Sequence, residues 1–139
     1  MSDAVNAFFD AFLDDYNANR MEKLHLRYEE PVVWIRPIGT RVFENRADFA
    51  QQMVELRQIY SDNGLAASGK RLLGVTSYGV GLHLAHLSWR HVKADGQLLV
   101  EAKTTFVLRE VGDSFTISAQ ISHNEMFQRP LGKAGRFVS

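Results

Sequence analysis

The sequence contains no cysteine. Disulfides, thiolate nucleophiles and cysteine-ligated zinc are therefore excluded, while the compartment is left open by this fact alone. Neither sign of charge dominates, since 16 Lys and Arg balance 16 Asp and Glu. Without a net field there is no long-range pull toward nucleic acid or an anionic membrane, and neither is expected as a partner. No apolar run approaches the roughly 20 residues that cross a bilayer. Met1-Ser2-Asp3 opens acidic, without the basic start of a secretory signal. Together these features predict a cytoplasmic protein. Internal repeats and low-complexity tracts are missing too. So are the zinc-helix HExxH, the phosphate-loop GxxxxGK and the nucleophile-elbow GxSxG patterns. What remains is 139 residues, 45% of them apolar. That is one domain's worth of chain, able to bury roughly 70% of its unfolded surface.

Helical patterning comes first along the chain. Val5, Phe8, Phe9, Phe12, Leu13 and Tyr16 form one stripe at helical offsets, which predicts a helix over 3–18 capped by Ser2 or Asp3. Asn17-Ala18-Asn19 breaks the pattern. A short helix over 20–28 is expected next, with Met21, Leu24 and Tyr28 inward and Pro31 ending it. Val32 to Arg36 is β-branched and aromatic and reads as a strand, followed by a shorter one over 40–43. Asn45 with Asp48 reads as a helix cap. Phe49, Met53, Leu56 and Tyr60 continue at helical spacing until Asn63-Gly64 stops the turn.

From Lys70 onward the period becomes two. Three strands are expected, over 80–93, 98–110 and 114–125, joined by turns at Asp95-Gly96 and Gly112-Asp113. Pairing Ala94 with Gln97 and Val111 with Ser114 sorts the sheet into two faces. The apolar face has rows Trp89–Ala102–His123, Leu87–Thr104–Ile121, Ala85–Phe106–Ala119 and His83–Leu108–Ile117. The other carries Arg90, Glu101, Lys103 and Gln120. Helices before strands give an α+β fold, with helices on one face of an antiparallel sheet.

His83, His86 and His91 do not form a metal site on this reading. His83 and His91 share a face but are eight residues apart, roughly 27 Å along a strand, and His86 points the other way. No metal and no cofactor is expected. The sheet centre holds small residues, Ala85, Ala102, Thr104 and Ala119, ringed by Trp89, Phe106 and His123. That leaves room for the helical phenylalanines or for a ligand. His123 is the candidate acid or base, and Arg36 a candidate clamp for a carboxylate.

These elements resemble the nuclear transport factor 2-like superfamily, the cystatin-like cone that includes SnoaL-like cyclases, ketosteroid isomerase and scytalone dehydratase. The likeness rests on helix 1 running into Asn17-Ala18-Asn19-Arg20, on Glu30-Pro31-Val32-Val33-Trp34, on the helix opening at Arg46-Ala47-Asp48-Phe49, and on the closing sheet. It implies a single domain over 1–125. Residues 126–139, with Arg129, Lys133 and Arg136, are expected to form a loose basic tail. The implied architecture is three helices on a strongly curved sheet around an internal pocket. Phe12, Tyr16, Trp34, Arg36, Met53, Leu56, Trp89, Thr104 and His123 are expected to look into it. The isomerase's tyrosine and aspartate positions hold Phe12 and Arg36 here, and neither can do those residues' chemistry. The resemblance further implies a homodimer through the outer sheet face. It leaves three functional readings: a binder of a small, partly apolar molecule, an isomerase, dehydratase or cyclase, and a non-catalytic assembly subunit. In the enzyme reading His123 is the acid/base, Tyr16 the hydroxyl donor and Arg36 the charge stabiliser.

Overall fold

A computed structural model describes residues 1–124. The basic tail expected over 126–139 lies outside the described residues. Helix α1 spans Ser2–Asn17 and buries Val5, Phe8, Phe9, Phe12 and Tyr16, the stripe expected from their spacing. Its N-cap is Met1, and no side chain caps it, so neither Ser2 nor Asp3 has that role. The Asn17-Ala18-Asn19 break is a Schellman turn. Arg20 N–H donates to the Asp15 carbonyl, Asn19 N–H to that of Tyr16, and Asn19 takes the left-handed conformation at φ 58°. The buried Asp15 carboxylate accepts from Arg20 at 3.0 Å and Arg27 at 2.9 Å. It thereby fastens the end of α1 to the segment that follows.

That segment is shorter than its pattern suggests. Helix α2 covers only Met21–Leu24, and one 3-10 turn, His25–Arg27, leads into strand β1, Tyr28–Arg36. Pro31 therefore lies within a strand rather than ending a helix. It can do so because β1 pairs with β2, Gly39–Phe43, only from Val32 onward, and its ladder with β6 is irregular between Tyr28 and Val33. No neighbour requires the N–H that proline lacks. Helix α3, Arg46–Asp62, starts at the expected cap, where the Asn45 side chain accepts from the Asp48 N–H at 2.9 Å. Gly64, at φ 99°, ends it.

Four strands follow, not three: β3 Leu65–Tyr78, β4 Leu82–Lys93, β5 Leu98–Val111 and β6 Ser114–Ser122. The sheet order is β2-β1-β6-β5-β4-β3. All neighbours are antiparallel except β1 and β6, which run parallel, so the curled, unclosed sheet is mixed. The overall class is α+β, with the helices on its concave side. The unanticipated β3 is an edge strand. Most of its residues are exposed or half-buried, so its sequence shows little alternation.

The β4–β5 register is the expected one, with Trp89 opposite Ala102, Leu87 opposite Thr104 and Ala85 opposite Phe106. The β5–β6 register starts as expected, with Leu108 opposite Ile117, and then changes. Val107 faces Ala119, which leaves Ser118 as one extra residue on β6. This bulge reverses the facing of everything after it. Gln120 and Ser122 turn to the concave side, where Ser122 Oγ accepts from Trp34 Nε1 at 2.9 Å. Ala119, Ile121 and His123 turn outward.

The core sits between α1 and the concave face. Phe9, fully buried, lies 4.7 Å from the Phe106 ring and 5.6 Å from Phe12 between centroids. Phe12 stands 5.6 Å from Trp89. The helical phenylalanines thus fill most of the space that the small sheet residues leave, but not all of it.

Candidate functional site

A cavity of about 70 Å³ remains between α1, α3 and the sheet. Of the residues expected to look into the cone, Phe12, Tyr16, Trp34, Met53, Leu56, Trp89 and Thr104 line it. Both tryptophans of the chain are among them. The wall is completed by Tyr60, His91, Ala102, Phe106, Gln120 and Ser122. Lys103 and Asn124, both exposed, bring the cavity to the surface at the end of β6.

Two expected residues are not part of it. His123 is on the outer face because of the Ser118 bulge. There its Nε2 lies 2.6 Å from Thr105 Oγ1, which also bonds His86 Nδ1 at 2.9 Å. Arg36 is buried on the same side of β1 as Trp34, with its guanidinium carbon 5.2 Å from that ring's centre, but it does not line the cavity. Gln120, expected on the outer face, accepts from the Tyr28 hydroxyl within. His123 and Tyr16 therefore lie on opposite sides of the sheet and do not converge.

The cavity's polar end is built from residues that the sequence reading left aside. The His91 ring stacks on Tyr60 with centroids 4.9 Å apart at 21° and stands 5.8 Å from Tyr16. Its Nδ1 lies 2.6 Å from Ser68 Oγ. Ser68 is gripped in turn by Asn17, whose side-chain amide donates to its carbonyl at 3.0 Å and accepts from its N–H at 2.9 Å. That amide stands in for a neighbouring strand on the open edge of β3. Arg57 closes this end, with its guanidinium carbon 5.1 Å from the Tyr16 ring centre and bonds to the Tyr16 carbonyl and Ser61 hydroxyl.

Burial decides the charge states here. It pushes His91 down to about 4, and Arg57 pushes in the same direction. Burial also raises Tyr16 and Tyr60 well above the ordinary phenol range. At neutral pH all three are uncharged and present hydrogen-bonding groups only. The three strand histidines end with separate partners: His83 with Ser77 at 2.7 Å and Glu110 at 3.5 Å, His86 with Thr105, and His91 with Ser68. Among the described residues no group of three or more His, Asp or Glu could hold a metal ion. No helix among them is long and apolar enough to cross a membrane.

Tyr60 and Ser68 both had sequence signals too weak to place them. Tyr60 reads as an ordinary inward helix position. Ser68 falls in a stretch, Ala66 to Lys70, without strand character.

A family model described as NTF2-like protein (DUF6841) matches residues 2–125. No curated protein matches the sequence. Solved structures of the same fold include a cystatin-like domain of unknown function from Nostoc punctiforme. It is 14% identical, with a TM-score of 0.69 over 91% of this chain and 78% of that one. An NTF-2 like protein of unknown function from Shewanella oneidensis is 10% identical, with a TM-score of 0.69 over 88% and 98%. A ketosteroid isomerase-like protein from Erwinia carotovora atroseptica is 12% identical, with a TM-score of 0.60 over 86% and 92%. At these identities the likeness is one of fold.

Proposed function

Because the chain belongs to the NTF2-like family DUF6841, we propose that its cone holds a small, largely apolar molecule. The observation that carries this reading is the cavity itself, walled by Phe12, Trp34, Met53, Leu56 and Trp89 and open at Lys103 and Asn124. Size limits the occupant. The cavity's 70 Å³ is about half of the roughly 150 Å³ that houses benzene in an engineered core. A single ring enters only if Met53 or Leu56 changes rotamer, which methionine does readily. Sterols and multi-ring polyketides are too large. An acid–base role for His123 lacks support, since that ring is outside the cavity.

A thermal-shift series of one-ring compounds tests the reading. A ligand at 100 times its dissociation constant adds about 2.7 kcal/mol, or roughly 10 °C for a domain of this size. Ala102→Leu, which adds three carbons to the cavity wall, is expected to abolish that shift while leaving stability within about 1 kcal/mol. A flat series on the unaltered protein overturns the reading, and an undiminished shift in Ala102→Leu moves the site elsewhere.

The protein is further proposed to pair with a second copy through the outer sheet face. The bulge supports this by placing Ala119 and Ile121 beside Val107, Val33 and Ile35, so the face is less polar than its sequence rows suggest. Light scattering is expected to give twice the chain mass, and Ile121→Arg to halve it. A monomeric unaltered protein rejects the pairing.

A further inference from the structure

We infer that His91, held by Ser68 and Asn17, is the cavity's recognition group, and that it selects an uncharged molecule carrying one hydroxyl or carbonyl. This rests on the cavity being a ligand site. Three observations lead to it.

The first is an unused hydrogen-bonding atom. His91 Nδ1 is engaged by Ser68, while Nε2 has no hydrogen-bond partner among the described residues. The ring lies in the wall of a cavity that is otherwise mostly apolar. An imidazole held in the cavity wall by one nitrogen offers the other as a directed site for one polar atom.

The second is the way the ring is held. Stacking on Tyr60 fixes its plane, and the Ser68 bond fixes its rotation. Asn17 fixes Ser68 through two backbone bonds 51 positions away in sequence. The Ser68 hydroxyl also sets what His91 can offer. When Oγ–H donates to Nδ1, Nε2 carries the proton and donates to a carbonyl. When Nδ1–H donates to Oγ, Nε2 accepts from a hydroxyl. One pair of residues thus serves either group, and Ser68 and Asn17 act as positioning residues.

The third is charge. Lys103, at the exposed mouth, is the one charged side chain among the described residues of the wall. Arg57 lies behind the Tyr16 ring, is bonded to Ser61 and the Tyr16 carbonyl, and does not line the cavity. A carboxylate pushed against His91 would lose its water without gaining a direct ionic partner. A hydroxyl or carbonyl loses less and gains the Nε2 bond.

Phenol, toluene and benzoate separate these terms, because they share a ring and differ in one group. Both tryptophans line the cavity, so intrinsic fluorescence reports its occupancy directly. Phenol is expected to bind about tenfold more tightly than toluene, and benzoate more weakly than phenol. His91→Phe keeps a ring against Tyr60 and removes the polar atom. It is expected to bind toluene as before and to lose the phenol preference. Should that variant not fold, Ser68→Ala decides the matter by reducing the phenol-to-toluene ratio without weakening toluene. Equal binding of phenol and toluene to the unaltered protein overturns the role of His91 and leaves the cavity as a ligand site. Tighter binding of benzoate overturns the selection for an uncharged group. No fluorescence response to any of the three overturns the cavity reading as well.

Discussion

Phe9→Ala is expected to cost about 3–5 kcal/mol, the range for removing a fully buried aromatic side chain. Phe9 is 0% exposed and packs against Phe8, Phe12, Trp89 and Phe106, with ring centroids between 4.7 and 6.4 Å away. These neighbours are large and anchored on three different elements, α1, β4 and β5, so they cannot collapse into the gap. The lost transfer energy and the void then add. For a domain of this length the midpoint of thermal unfolding should fall by roughly 10–20 °C. The loss bears on the cone as well, because Phe12, Trp89 and Phe106 lean on Phe9 from the cavity side. A measured cost below about 1 kcal/mol would mean that α1 does not pack on the sheet as described.

Acid should weaken the fold in a window set by His91. The ordinary imidazole value is 6.5, and burial with the nearby Arg57 brings His91 to about 4. Between those values the unfolded chain binds a proton here and the folded chain does not. Stability from this group is therefore fully present above pH 6.5 and declines as the pH falls toward 4. By pH 4.5 the loss is about 2–3 kcal/mol. Asp15 acts lower down. Burial raises its carboxyl, but the bonds from Arg27 and Arg20 outweigh that and leave it below its ordinary value of 3.8. Its contribution is present above that value and lost only in stronger acid, so the two windows separate. Urea unfolding at pH 7 and 4.5 on the unaltered protein and His91→Gln checks this. The variant should show the smaller difference between the two pH values, and an identical difference would mean that His91 titrates normally in the folded state.

Both predictions concern residues that the sequence treats unequally. Phe9 was legible, because the spacing from Val5 to Tyr16 has one structural solution and α1 adopts it. The β4–β5 register was legible too, since alternation and the Asp95-Gly96 turn agree. The course of β6 was not. Thr116 to Ile121 alternates without interruption, and Ser118 carries no glycine or proline to mark an extra residue. The bulge follows from the sheet, where β6 has to meet β5 on one side and β1 on the other. That single residue accounts for the misplacement of His123 and Gln120. His91 was assigned to the correct face, yet its importance depends on Ser68, Tyr60 and Asn17, which come from three other elements. The Asn17 amide reads locally as a helix break, and only the fold brings it to β3.

The Ser118 bulge also bears on how this protein can change. Exchanging one residue type for another alters one position at a time, whereas a one-residue slip of β6 against β5 would act on the whole strand end. If Ser118 instead took a regular place opposite Val107, Ala119, Ile121 and His123 would rotate to the concave side, and Gln120 and Ser122 would leave it. Trp34 and Tyr28 would lose their partners in the same step. The lining of the cone and the outer surface of the sheet are thus tied to one register of β6, and a one-residue slip exchanges them together.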